Sequence, residues 1–182
     1  MREKTSANLS QIEMLVLDID GVMTDGTLII NEDGTESKHF NSLDGHGLRL
    51  WKRAGGKLAF LSGRECKPVV HRARQLEVDY VLQDCFDKLG ELKKLIAESG
   101  IDAERIAYVG DDLPDLPAMG HVGFAVAVAN AVEQVKQHAD YVTTAAGGSG
   151  AVREVIEHIL KSAGKWSQLM TRYLPAERQS EK

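Results

Sequence analysis

The sequence predicts an α/β fold in which a parallel sheet is flanked by helices. Short apolar runs alternate with longer segments whose apolar residues recur at helical spacing, the pattern of strands joined by crossover helices. The 182 residues fall in the size range of a single domain with one core. Two carboxylates, Asp18 and Asp20, directly follow the first apolar run, and in an open parallel sheet such a strand end faces a binding crevice.

The expected strands, taken in order, are 14–19, 57–61, 80–82, 105–109 and 123–126, with a weaker one at 141–143. Apolar residues at helical spacing place helices at 47–54, 68–76, 88–98, 113–119, 132–138 and 151–161, and Pro68 suits a first helical turn. Residues 27–40 break the alternation, with two strand-like runs around Asn31-Glu-Asp-Gly34. They predict a small β-hairpin inserted after the first strand. Beyond Ser162 the chain is polar apart from Trp166, Leu169, Met170, Tyr173 and Leu174, positions expected to dock on a neighbour if the tail is anchored at all.

Composition narrows the function. Apolar residues make up 43% and charged residues 27%, which predicts a folded globular chain rather than a disordered one. A net charge of −5 with scattered basic residues argues against a nucleic-acid partner. No apolar run approaches the roughly 20 residues that cross a bilayer, and the opening residues lack the apolar centre of a secretory signal, so a cytoplasmic location without membrane contact is expected. Cys66 and Cys85 form no C-x-x-C pair and read as buried thiols. The six histidines show no metal-ligand spacing.

The chemistry concentrates at strand ends. Asp18 and Asp20 follow the first strand, Ser62 the second, and Asp111, Asp112 and Asp115 the fourth, so the topology gathers them on one rim. So many carboxylates at one crevice repel one another, and a hard divalent cation such as Mg2+ relieves that repulsion while neutralising phosphate oxygens. One free carboxylate, Asp18, is then placed to attack phosphorus and form an acyl phosphate. Asp20 is placed to protonate the leaving alcohol and later to deprotonate water. Ser62 and Lys88 supply a hydroxyl and a point charge to the transferring phosphoryl group. The glycine-rich run 145–150 lacks the Lys-Thr ending of a nucleotide-binding loop and reads as a tight turn or a subunit contact.

Asp18-x-Asp20, Ser62, Lys88 and Gly110-Asp-Asp-x-x-Asp115, in this order, resemble the four motifs of haloacid dehalogenase phosphatases, which implies a Rossmann-like sheet. The small hairpin, Phe40-Asn-Ser-Leu-Asp-Gly45 and Ala146-Gly-Gly-Ser-Gly-Ala-Val-Arg-Glu154 further resemble the 3-deoxy-D-manno-octulosonate 8-phosphate phosphatases, over about residues 12–165. That resemblance implies a magnesium-dependent homotetramer acting in lipopolysaccharide synthesis, each site being completed by hairpin or tail residues of neighbouring subunits. It places metal ligands at the carboxylates of Asp18 and Asp111, the backbone carbonyl of Asp20, and the adjoining Asp112. It places substrate contacts at Asp20, Asn41, Ser42, Leu43, Asp44, Gly45, Arg49, Arg64, Arg72 and Lys88, and arginines suit the anionic groups of a sugar acid. Two arginines common in the family are Leu43 and Ser149 here, so a nine-carbon sialic-type sugar acid 9-phosphate is the rival substrate. A phospho-accepting regulatory module is the rival of another class, although such modules carry their acidic pair on the first strand.

Overall fold

The computed structural model describes residues 8–174. The expectations for the start of the chain at 1–7 and for the last part of the tail at 175–182 lie outside the described residues.

After a short 3-10 turn, β1 (Met14–Leu17) is buried along its whole length. The hairpin follows as β2 (Ile29–Ile30) and β3 (Glu36–Ser37), paired antiparallel around a turn in which Gly34 N donates to Asn31 O. Then come α1 (Ser42–Arg53), β4 (Lys57–Leu61), α2 (Lys67–Gln75), β5 (Tyr80–Leu82), α3 (Lys88–Ser99) and β6 (Ile106–Gly110). The chain continues through α4 (Leu116–Met119), β7 (Phe124–Ala127), α5 (Glu133–His138), β8 (Tyr141–Val142), α6 (Ala151–Ser162) and α7 (Trp166–Met170).

Six strands form one sheet in the order β5-β4-β1-β6-β7-β8, every pairing parallel. This is the expected α/β architecture, and the order puts β1 in the interior. Leu17 pairs with Phe60 on one side and Val109 on the other, so the carboxyl ends of β1, β4 and β6 lie side by side. Strands buried on both faces read as unbroken apolar runs, which is why Met14-Leu-Val-Leu17 and Leu58-Ala-Phe-Leu61 show no alternation.

Strand β1 closes at Leu17 rather than at residue 19, and the helix expected at 113–119 is a 3-10 turn (Leu113–Asp115) leading into the short α4; two further elements depart more widely from expectation. Helix α1 begins at Ser42 rather than at residue 47, because the Asn41 side chain accepts a hydrogen bond from Leu43 N at 2.7 Å and caps it. Gly45 and Gly47 weaken the helical signal, and both stand at close contacts: a Cβ at Gly45 would displace the Arg72 guanidinium, 2.2 Å away at Nη2, and one at Gly47 would lie 3.2 Å from the Arg153 backbone. The other departure is α7, where the sequence promised only scattered apolar positions. It is tied down by the Trp166 ring, which lies beneath Arg153 and Lys161 with cation-to-centroid distances of 5.7 and 5.0 Å. Among the described residues, no helix is long and apolar enough to cross a membrane.

Helices α1 and α6 pack together, and Asp44 bolts them. Its fully buried carboxylate accepts from Gly150 N at 3.2 Å and Arg153 N at 2.8 Å, satisfying donors at the start of α6. Asp44→Ala leaves those buried donors unpaired and should lower unfolding free energy by about 2 kcal/mol, measured by urea denaturation.

Candidate active site

The loop after β1 carries the first two acids. Asp18 N still donates to Val109 O at 3.1 Å, so the backbone stays in the sheet up to the first carboxylate. The chain then coils: Met23 N and Thr24 N both donate to Ile19 O, and the Thr24 hydroxyl accepts from Gly21 N and Gly26 N. Gly21 has φ +93°, and a Cβ there would lie 2.0 Å from Asp111 Oδ2. Only glycine lets the Asp111 carboxylate close against this loop. The glycine-rich run 145–150 proves to be a tight turn that buttresses it: Gly148 N donates to Val22 O, and Gly147 N to Asn130 Oδ1, whose amide in turn reaches Gly21 O.

At the centre stands Lys88, the first residue of α3, with a side chain only 6% exposed. Its ammonium lies 2.7 Å from Asp18 Oδ1 and 2.6 Å from Asp115 Oδ1. Asp115 is saturated, since Oδ1 also accepts from the Tyr108 hydroxyl at 2.8 Å while Oδ2 accepts from the backbone N–H groups of Asp111 and Asp112. It thereby shapes the loop after β6. Sequence reasoning placed Asp115 in the motif without a role and missed Tyr108, whose only sequence signal is an aromatic inside a buried strand. Ser62, 2% exposed, continues β4 through a bond from its N to Leu82 O, and its hydroxyl accepts from Arg64 N at 3.2 Å.

These residues line one open cavity of about 470 Å³, with Asp18, Asp20, Ser62, Arg64, Lys88, Asp111, Asp112 and Asp115 in its wall beside Leu28 and Phe86. The expected catalytic and metal residues are therefore brought together. Asp112 lines the cavity but spends one carboxylate oxygen capping Leu113 N. The remaining expected substrate residues stand apart from this wall. Asn41 caps α1, Ser42 and Leu43 are exposed on its first turn, Asp44 and Gly45 are buried, and Arg49 lies in a separate groove with Lys52, Arg53 and Glu77. Arg72 reaches Asn41 O at 3.4 Å and lies over the Phe40 ring.

Carboxylate oxygens of Asp18, Asp111 and Asp115 lie within 4.8 Å of one another. With Asp115 saturated, capacity for a cation sits on Asp18 and Asp111. Burial, and then repulsion from Asp18 and Asp115, pushes the Asp111 carboxyl up to about 8; burial and Asp115 push Asp18 up to about 6 despite Lys88. Burial works to discharge Lys88, but the two carboxylates outweigh it and hold the ammonium charged. One cation against three clustered anions leaves negative charge for a hard divalent ion to neutralise, so the donor set fits Mg2+.

Residues 80–156 match the family model of haloacid dehalogenase-like hydrolases. A 3-deoxy-D-manno-octulosonate 8-phosphate phosphatase of Escherichia coli K12 is 42% identical over 159 residues, covering 87% of this chain and 85% of its own. The chain belongs to this phosphatase family. The crystal structure of the Moraxella catarrhalis phosphatase, in complex with magnesium, phosphate and 3-deoxy-D-manno-octulosonate (KDO), is 40% identical with a TM-score of 0.90, covering 92% of this chain and 96% of that one. A cobalt-bound Haemophilus influenzae family member is 36% identical with a TM-score of 0.86, covering 88% and 94%.

This phosphatase should bind Mg2+ more tightly as pH rises from about 6 to about 8. The raised pKa values mean that Asp18 and Asp111 hold protons there that a cation must displace. Without the ion, the same protons favour the folded state at low pH, an advantage lost as pH climbs through about 6 and about 8. Calorimetry in buffers of different ionisation enthalpy should accordingly register proton release on Mg2+ binding near neutral pH, and a larger Mg2+-induced gain in melting temperature at pH 8 than at pH 6.

Proposed function

We propose that this phosphatase hydrolyses 3-deoxy-D-manno-octulosonate 8-phosphate to the free sugar acid and phosphate through a phosphoryl group carried on Asp18. The carrying observation is the buried Asp18–Lys88–Asp115 chain beside Asp111, in the wall of a cavity sized for a small phosphorylated sugar acid. The substrate reading comes from the relatives, which are named for that ester.

Asp18 attacks phosphorus with a carboxylate oxygen as the ester P–O bond breaks. Asp20 protonates the departing alcohol, then takes a proton from the water that releases phosphate. Lys88 holds Asp18 in line and faces the phosphoryl oxygens, and Ser62 with the following backbone adds hydrogen-bond donors. Mg2+, held by the carboxylates of Asp18 and Asp111 and the Asp20 carbonyl with Asp112 beside them, supplies charge neutralisation at the phosphoryl group. Arg64 is the arginine at the cavity edge that suits the anionic substrate.

Completion by neighbouring subunits of a homotetramer accounts for Asn41, Ser42, Leu43, Arg49 and Arg72, which the resemblance assigns to substrate but which lie outside this chain's own cavity, whereas Asp44 and Gly45 are buried in the packing of α1 and serve the fold instead. Exposed Ile30, Leu43 and Phe86 support such contacts. A cytoplasmic setting suits a substrate of this kind. Leu43 and Ser149 favour keeping a nine-carbon acid 9-phosphate as the second reading.

Phosphate release with Mg2+ from eight- and nine-carbon sugar acid phosphates, hexose phosphates and nucleotides should be strongest with the eight-carbon ester. A nine-carbon preference would move the substrate, and silence across the panel would overturn the activity. Asp18→Asn should reduce turnover by about three orders of magnitude or more, roughly 4 kcal/mol of barrier.

A further inference from the structure

The hairpin reaches back to the site with a lysine. Lys38 directly follows β3, yet its side chain is only 1% exposed. Its Nζ donates to Asp20 Oδ1 and lies 3.8 Å from Glu36 Oε2. Glu36 in turn accepts from Arg64 Nη2, and Arg64 Nε stands 4.0 Å from Asp20 Oδ2. The four side chains close a ring of alternating charge that ties β3 to the loops after β1 and β4.

Within that ring the two oxygens of Asp20 differ. Lys38 occupies Oδ1, whereas Oδ2 is buried and accepts no hydrogen bond among the described residues, although Asp20 lines the cavity. A buried ammonium without a partner is costly, so Lys38 keeps hold of its carboxylate. A loop aspartate held at one oxygen loses most of its rotational freedom, and its second oxygen is fixed in place before the substrate arrives.

We propose that Lys38 is a positioning residue for the phosphatase reaction: it anchors Asp20 by Oδ1 and so holds the carboxyl group at the cavity wall in the orientation from which it protonates the leaving oxygen of the ester. The proposal rests on Asp20 acting as the acid, with the proton passing from its carboxyl group to the ester oxygen as the P–O bond breaks. Lys38 itself is not among the residues that line the cavity. Glu36 and Arg64 hold the hairpin end of the ring.

The test compares a sugar acid phosphate, whose alkoxide must be protonated to leave, with p-nitrophenyl phosphate, whose phenolate leaves almost unaided. Lys38→Met should lower kcat about ten- to a hundredfold for the sugar ester and less than about threefold for the aryl ester, with KM little changed. Asp20→Asn should show the same selectivity with a larger loss. Glu36→Gln, which loosens the hairpin but leaves Lys38 on Asp20, should keep the wild-type ratio of the two activities. Equal losses on both esters for Lys38→Met, beside a selective Asp20→Asn, would make Lys38 a structural residue and overturn the proposal alone. An unselective Asp20→Asn would remove the acid itself and the proposal with it. Melting temperatures confirm folding, and Lys38→Gln, which keeps a polar end at the buried position, is read in the same way if Met is not tolerated there.

Discussion

One buried ammonium organises this site. Lys88 sits at the start of α3 with its charge out of water, a position that two carboxylates at hydrogen-bond distance make tenable. Asp115 can serve it only because its other lone pairs are taken by Tyr108 and by two backbone N–H groups of the loop after β6. Asp18 can serve it only because β1 is flanked by β4 and β6, which sets its strand end beside theirs. Strand order, loop shape and helix position all converge on a single nitrogen.

The same economy of charge explains the rest of the cavity. Three acids share one lysine, so Asp111 is left crowded and is pushed up to about 8, chiefly by burial. A site built this way prefers a divalent cation and then an anionic ester, since each arrival neutralises charge that the protein has desolvated. The hairpin extends the logic outward, with Glu36 and Lys38 pairing the charges of Arg64 and Asp20.

Much of this was legible in the sequence, for identifiable reasons. Parallel strands buried on both faces announce themselves as apolar runs, and five of the six sheet strands lie within a residue of their expected bounds at each end, β1 alone ending two residues early. The acids were legible because a carboxylate after a buried strand has few structural uses. What stayed hidden depends on partners far along the chain. Lys88 alone resembles a solvated surface charge, and nothing near Lys38 reveals that it pairs with a residue 18 positions earlier. Asp44 sits among expected substrate contacts, yet it is buried between α1 and α6. The first turns of α1 stayed hidden because Gly45 and Gly47, which lie beside Arg72 and Arg153, carry little helical signal of their own.

The central claim is that Asp18 carries the phosphoryl group, and chemical trapping tests it most directly. The enzyme is mixed with Mg2+ and substrate, quenched in acid within milliseconds and reduced with borohydride, which converts an aspartyl phosphate to homoserine. Peptide mass spectrometry should find that conversion at position 18. Conversion at another aspartate, or none during rapid turnover, would contradict the account.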